Sequence, residues 1–194
     1  MASRTCERSR RTRETDVTVR LALDGAGDVK VATGLGFLDH LLTALAYHAR
    51  LDLELACTGD LAVDDHHTVE DCALALGAAI DEALGDRAGI ARFGDACAPL
   101  DEALARAAVD LSGRPYAWVS LDLARPSVGD VAAENVVHAF RSLSTAMRAT
   151  VHLDVLRGEN DHHRAEAAAK ALALALRKAI ALEGGAVRST KGVL

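Results

Sequence analysis

The segment His66-His67-x-x-Glu70 recurs as His162-His163-x-x-Glu166, and each copy follows a lone upstream histidine, His40 before the first and His138 before the second. Six of the eight histidines fall into this pattern. A repeat of ligand-type residues at matching intervals constrains the chain to two copies of one supersecondary unit sharing a core. On a helix, Glu70 and Glu166 share a face with the histidine four or three residues before them. Adjacent histidines project roughly 100° apart around the axis, so the two members of a dyad cannot readily chelate one ion together. Eight candidate ligands therefore divide into four for each of two ions: His40, His66, His67, Glu70, His138, His162, His163 and Glu166. A nitrogen-rich, thiolate-free set suits Mn, Fe, Co, Ni or Zn better than Mg or Ca.

Half of the 194 residues are hydrophobic but only 3% are aromatic, so the core is built from Ala, Leu and Val, small side chains that let helices pack closely. A net charge of −6 argues against general nucleic-acid binding. The arginines crowding the N-terminus, among them Arg4 and Arg8, read as a mobile, solvated arm over residues 1–11. Cys6, Cys57, Cys72 and Cys97 show no CxxC pair and read as reduced thiols. With no signal-like or membrane-length apolar run, the cytoplasm is the expected compartment.

Alternation over Thr15–Leu23 predicts a strand that forms a hairpin with Val29–Ala32. A helix over 38–48, a strand at Leu51–Leu55 and a helix over 66–84 follow, the last ended by Gly85. The second half repeats the plan. Strands at Ala107–Leu111 and Tyr116–Leu123 are joined at Ser112–Pro115, a helix covers 131–149, Val151–Val155 alternates, and a helix covers 162–182. The boundaries expected are two pseudo-symmetric halves over about 12–98 and 99–185, with a tail at 186–194. The last helix is apolar around most of its circumference and is therefore buried between other elements.

Gly34-Leu35-Gly36-Phe37-Leu38-Asp39-His40, Asp64 to Asp71, Asp110-Leu111-Ser112-Gly113-Arg114-Pro115, Gly158 to His163 and Ser189-Thr190-Lys191-Gly192-Val193-Leu194 together resemble the imidazoleglycerol-phosphate dehydratase family of histidine biosynthesis. The resemblance runs from Thr12 to Leu194. It implies an α+β fold of two tandem repeats, each of four strands and two helices, with a helical layer sandwiched between two sheets. It also implies two Mn²⁺ per subunit, a 24-subunit homo-oligomer with active sites between subunits, and conversion of imidazoleglycerol phosphate to imidazoleacetol phosphate.

Residue by residue, it assigns Arg92, Arg114, Ser189 and Lys191 to the substrate phosphate, for which guanidinium forks and a hydroxyl are suited. Glu14 and Asp101 match substrate-facing carboxylates. Lys170 shares the Glu166 face of an apolar helix, where it either snorkels to water or meets substrate; the resemblance favours the second. One departure stands four residues after His40, where family members often have a glutamine and this chain has Ala44. Losing one such polar contact costs about 0.5–1.5 kcal/mol.

The proton removed in this reaction sits on a carbon not next to a carbonyl, so the imidazole ring must serve as the electron reservoir. The expected route runs through a metal-bound imidazolate and a diazafulvene-like intermediate, with Glu14 as the leading acid/base and with Glu166, Lys170 and Asp101 beside it. Two other readings fit the ligand motif alone: a dinuclear metallohydrolase that activates water, and a storage or structural metalloprotein whose ions join subunits. The second has no use for Arg92, Arg114 and Lys191.

Overall fold

The computed structural model describes residues 4–194. The first half comprises β1 (Thr5–Arg11), β2 (Thr15–Ala22), β3 (Val29–Ala32), α1 (Gly36–Ala49), β4 (Asp52–Gly59) and α2 (His66–Leu84). The second comprises β5 (Phe93–Leu100), β6 (Ala103–Asp110), β7 (Tyr116–Ser120), a small hairpin of β8 (Ser127–Val128) and β9 (Val131–Ala132), then α3 (Ala133–Ala146), β10 (Thr150–Arg157) and α4 (Asp161–Ala179). The sheets have the same order, β1-β2-β4-β3 and β5-β6-β10-β7, so the duplication seen in the histidines extends to the topology. Helices α1 and α2 cover the first sheet and α3 and α4 the second, while α1 packs on α4 and α2 on α3. This is the helical layer between two sheets that the repeat requires, because each half alone would leave one helical face without a cover.

Several expectations are corrected. Thr5–Arg11 is not an arm: it pairs antiparallel with β2 along its whole length. Arg4 donates to the Ile180 carbonyl at 2.7 Å and to Asp24, and Arg10 pairs with Asp71 at 2.8 Å. Residues 1–3 of the expected arm lie outside the described residues. The segment escaped notice because an edge strand needs little apolar surface, and within β1 only Cys6 is buried. Likewise β5, with Gly94, Ala96 and Ala98 inward, places the boundary between halves before Phe93 rather than near residue 98. The expected hairpin of β2 with β3 does not form, because β3 lies beyond β4 and runs parallel to it. By the same rule β7 pairs parallel with β10 and not with β6. Helix α3 is shorter than expected at both ends, Val131–Ala132 being taken into β9.

The core is aliphatic. Val17, Val19 and Leu21 of β2, Ala105 and Ala107 of β6, and Leu153 of β10 face inward. On α4, Ala165, Ala167, Ala168, Ala169, Ala171, Leu172, Ala173, Ala175, Leu176 and Ala179 are fully buried, as expected of a helix apolar on most sides. Small residues set the close approach of layers. A Cβ on Gly94 would meet the Ala175 carbonyl oxygen at 2.0 Å, and one on Gly77 would meet that of Leu143 at 2.4 Å. Both obstacles are backbone, so relief requires moving a strand or a helix. Gly77→Ala is expected to destabilise the fold by roughly 1–3 kcal/mol despite alanine's better helix propensity, and Gly94→Ala similarly. Denaturant melts check this; a stabilised Gly77→Ala would show that α2 and α3 can slide apart. Among the described residues no helix is long and apolar enough to cross a membrane, and all four cysteines are free thiols.

Candidate metal centre and active site

The first histidine of each dyad meets the upstream histidine of the other half. His40 of α1 joins His162 and Glu166 of α4, and His138 of α3 joins His66 and Glu70 of α2; within each group the ligand atoms lie within 4.8 Å of one another. His40 Nε2 and His162 Nε2 approach Glu166 Oε2 at 2.9 and 3.2 Å. His138 Nε2 lies 3.0 Å from Glu70 Oε1, and the His66 and His138 rings stack with centroids 5.0 Å apart. The crossing of α1 over α4 and of α2 over α3 produces these meetings, so each cluster draws on both repeats. Two imidazoles and a carboxylate form a donor set suited to a borderline divalent ion such as Mn²⁺, Fe²⁺ or Zn²⁺.

Local structure holds the ligands in place. Asn160 caps α4 by accepting the His162 N–H at 2.9 Å. The Asp130 carboxylate, on the β8–β9 turn, accepts the Phe37 N–H at 2.9 Å and that of Gly36 at the start of α1. Asn135 Oδ1 faces His66 Nδ1 at 3.0 Å, and the Asn135 amide donates to Asp65 at 2.9 Å. Lys170 Nζ lies 2.7 Å from Glu166 Oε1. Burial raises the Glu166 pKa, but the Lys170 ammonium and His40 outweigh it and bring the carboxyl down to about 2. Lys170 is thus the charge partner of a candidate ligand carboxylate. Ala44 is buried on α1 and offers no polar group where the family glutamine would stand.

His67 and His163 are left out of both clusters. Their Nδ1 atoms face carboxylates: Asp60 at 3.0 and 3.2 Å for His67, and Glu102 at 2.8 Å for His163. Their Nε2 atoms face Glu14 at 3.7 Å and Asp101 at 3.8 Å, on the equivalent β1–β2 and β5–β6 turns. Asp60 holds the His67 pKa above the ordinary imidazole value against the opposing effect of burial, and Glu102 does the same for His163. Glu102 is itself pulled down to about 2 by the Asn160 N–H, His163 and the Glu159 N–H. Asp60, Glu102 and Asn135 are site residues missed in the sequence. Gly59-Asp60 reads as a turn, Glu102 stands beside the more conspicuous Asp101, and only Asn135's place one turn before His138 on α3 hinted at a role.

Arg92, Arg114 and the tail with Ser189 and Lys191 gather at the opposite end of the second sheet. The Arg92 N–H donates to the carbonyl of Ala179, at the far end of α4 from His162, about 25 Å away at 1.5 Å per residue. The Arg92 guanidinium grips Asp110, the first residue of the Asp110–Pro115 motif, at 2.7 and 3.1 Å, and Arg114 lies 3.9 Å from the same carboxylate. Arg92 also donates to the Arg188 carbonyl, which brings the tail alongside. Within one chain, then, the clusters and the cationic group are too far apart for one small molecule to touch both.

A sequence profile described as imidazoleglycerol-phosphate dehydratase matches residues 33–176. Two curated proteins of that name are similar along nearly the whole chain. The one from Phytophthora nicotianae is 62% identical over 96% of this chain, which spans only 41% of that longer protein. The one from Chlorobium luteolum is 52% identical over 96% of this chain and 93% of its own length. Among solved structures, the enzyme from Pyrococcus furiosus superposes with a TM-score of 0.81 at 39% identity, covering 96% of this chain and 100% of that one. That from Staphylococcus aureus gives 0.80 at 33% identity, covering 92% and 99%. With two histidine–glutamate clusters built by the same duplicated frame, and relatives this similar over this much of its length, the chain belongs to the imidazoleglycerol-phosphate dehydratase family.

Proposed function

We propose that this chain dehydrates imidazoleglycerol phosphate to imidazoleacetol phosphate in histidine biosynthesis, in the cytoplasm, using two Mn²⁺ per subunit in sites completed between the subunits of a 24-subunit assembly. The observation that carries this reading is the pair of three-ligand clusters in a member of this family. The separation of clusters and cations within the chain supports the between-subunit part, because a phosphorylated imidazole must touch both at once. His67 and His163, which belong to neither cluster, are the donors left over to complete a neighbour's ions.

When bound, a divalent ion supplies a Lewis acid for a ring nitrogen of the substrate and favours the deprotonated ring. The chain's own groups do the rest. Arg92, Arg114, Ser189 and Lys191 anchor the phosphate by charge-assisted hydrogen bonds. The deprotonated imidazole ring donates the electron pair that expels the hydroxyl on the carbon beside it, the hydroxide and the ring proton leaving together as water. The diazafulvene-like ring so formed is the sink that accepts electrons in the next step, where a carbonyl would otherwise serve. Glu14, on its exposed turn, takes the proton from the neighbouring carbon, and the enol tautomerises to the ketone. Asp101 presents a second carboxylate at the equivalent turn, and Lys170 keeps Glu166 ionised.

The test is an assay on imidazoleglycerol phosphate with Mn²⁺, followed by phosphorus NMR. The expected product retains its phosphate ester; released inorganic phosphate would instead mark a metallohydrolase. The phosphate assignment is separable. Lys191→Ala and Arg114→Ala are each expected to weaken substrate binding by about 1.5–3 kcal/mol with Mn²⁺ content unchanged. Arg92→Ala is a poorer probe, since it also strands the Asp110 carboxylate. Unaltered affinity in both the Lys191 and Arg114 variants, measured by calorimetry, removes these residues from the phosphate site.

A further inference from the structure

The carboxylates behind His67 and His163 come from non-equivalent places. Asp60 lies in the loop between β4 and α2, whereas Glu102 lies on the β5–β6 turn, whose first-half counterpart bears Glu14. The duplication therefore does not by itself account for a carboxylate on the same ring nitrogen in both halves. A carboxylate only accepts, so each Nδ1 holds the hydrogen; in the neutral ring Nε2 then keeps its lone pair, on the side where Glu14 and Asp101 stand 3.7 and 3.8 Å away. His66, which already meets its partners within the chain, is backed instead by the neutral Asn135 amide.

We propose that Asp60 and Glu102 are positioning residues that fix His67 and His163 in the Nδ1–H tautomer, so that each presents Nε2 to a divalent ion shared with a neighbouring copy of the chain. This rests on the reading that those two histidines are ligands. The two carboxylates differ in a way that makes the idea testable. Glu102 Oε1 accepts the N–H groups of Glu159 and Asn160 at 3.1 and 2.9 Å, while Oε2 faces His163 Nδ1. In Glu102→Gln the single amide oxygen must stay on those two backbone donors. The amide NH₂ then faces Nδ1, turns it into an acceptor and moves the imidazole hydrogen to Nε2, where it blocks metal binding. Asp60 has both oxygens near His67 Nδ1, and its side chain has no other hydrogen-bond partner among the described residues. In Asp60→Asn the amide oxygen can therefore turn to Nδ1 and keep the tautomer.

The experiment is Mn²⁺ titration of the chelator-stripped protein by calorimetry, with thermal melts as the control for folding and ¹⁵N NMR of the histidine rings at a pH where they are neutral. Glu102→Gln is expected to lower Mn²⁺ affinity by about 10- to 100-fold, the usual cost of losing a carboxylate behind a ligand histidine, and Asp60→Asn by about threefold or less. In the metal-free parent both rings carry hydrogen on Nδ1, and in Glu102→Gln the His163 hydrogen moves to Nε2. His163→Ala, measured alongside, separates the two levels. If it leaves affinity unchanged, His163 is not a ligand and the positioning role falls with that reading. If it weakens binding but Glu102→Gln does not, the reading stands and the positioning role is overturned. Should Glu102→Gln fail to fold, the parent spectrum decides, since Nε2–H on His163 would rule the proposal out.

Discussion

Glu14→Gln is expected to lower turnover by about two to four decades, the usual scale for losing a general acid/base, with Mn²⁺ content and particle size unchanged. Glu14 sits on the exposed turn between β1 and β2, its own N–H held by Thr12 Oγ1 at 3.1 Å. Its carboxylate lies 3.7 Å from His67 Nε2 yet belongs to neither cluster. On the proposed reading it stands beside the ion that His67 holds for a neighbouring subunit, without being needed to hold that ion. The glutamine side chain has the same shape and cannot accept a proton. Asp101→Asn, at the equivalent turn, separates this role from a general effect of removing a charge near a ligand. Steady-state kinetics with metal analysis decide the matter: turnover within a few-fold of the parent would take Glu14 out of the acid/base role.

Stripping the ions should take the assembly apart. Each cluster offers three candidate ligands from one chain, while His67 and His163 belong to neither, and on the proposed reading they ligate an ion of another chain. An ion held in this way links subunits, so its binding free energy adds to that of assembly. Removing it leaves imidazoles and carboxylates crowded without their counter-charge. Dialysis against a strong chelator is expected to convert a large particle into smaller oligomers by sedimentation, and Mn²⁺ to rebuild it. His67→Ala and His163→Ala are expected to impair the rebuilding while each chain stays folded, since neither side chain belongs to the buried core. A metal-free sample sedimenting as the same large particle would show that the protein contacts suffice.

The sequence by itself pointed to the histidines and glutamates of the two clusters, the duplication and the burial of the last helix. Metal ligation demands particular side chains, and a helix places residues four apart on one face, so His66 with Glu70 and His162 with Glu166 were legible from spacing. The alanine-rich stretch of α4 was legible because an all-round apolar helix has no stable place at a surface. The tertiary structure alone decided how these ligands combine. His40 serves the second half's cluster and His138 the first half's, because α1 packs on α4 and α2 on α3, and no local spacing encodes a crossing of helices. The edge strands β1 and β5 were equally silent, since an edge strand is held by backbone hydrogen bonds that any side chains permit. Asp60 and Glu102 are ordinary carboxylates on turns. They acquire their meaning only where folding sets an oxygen against the ring nitrogen of a histidine from another element, a contact that depends on position in space rather than on distance along the chain.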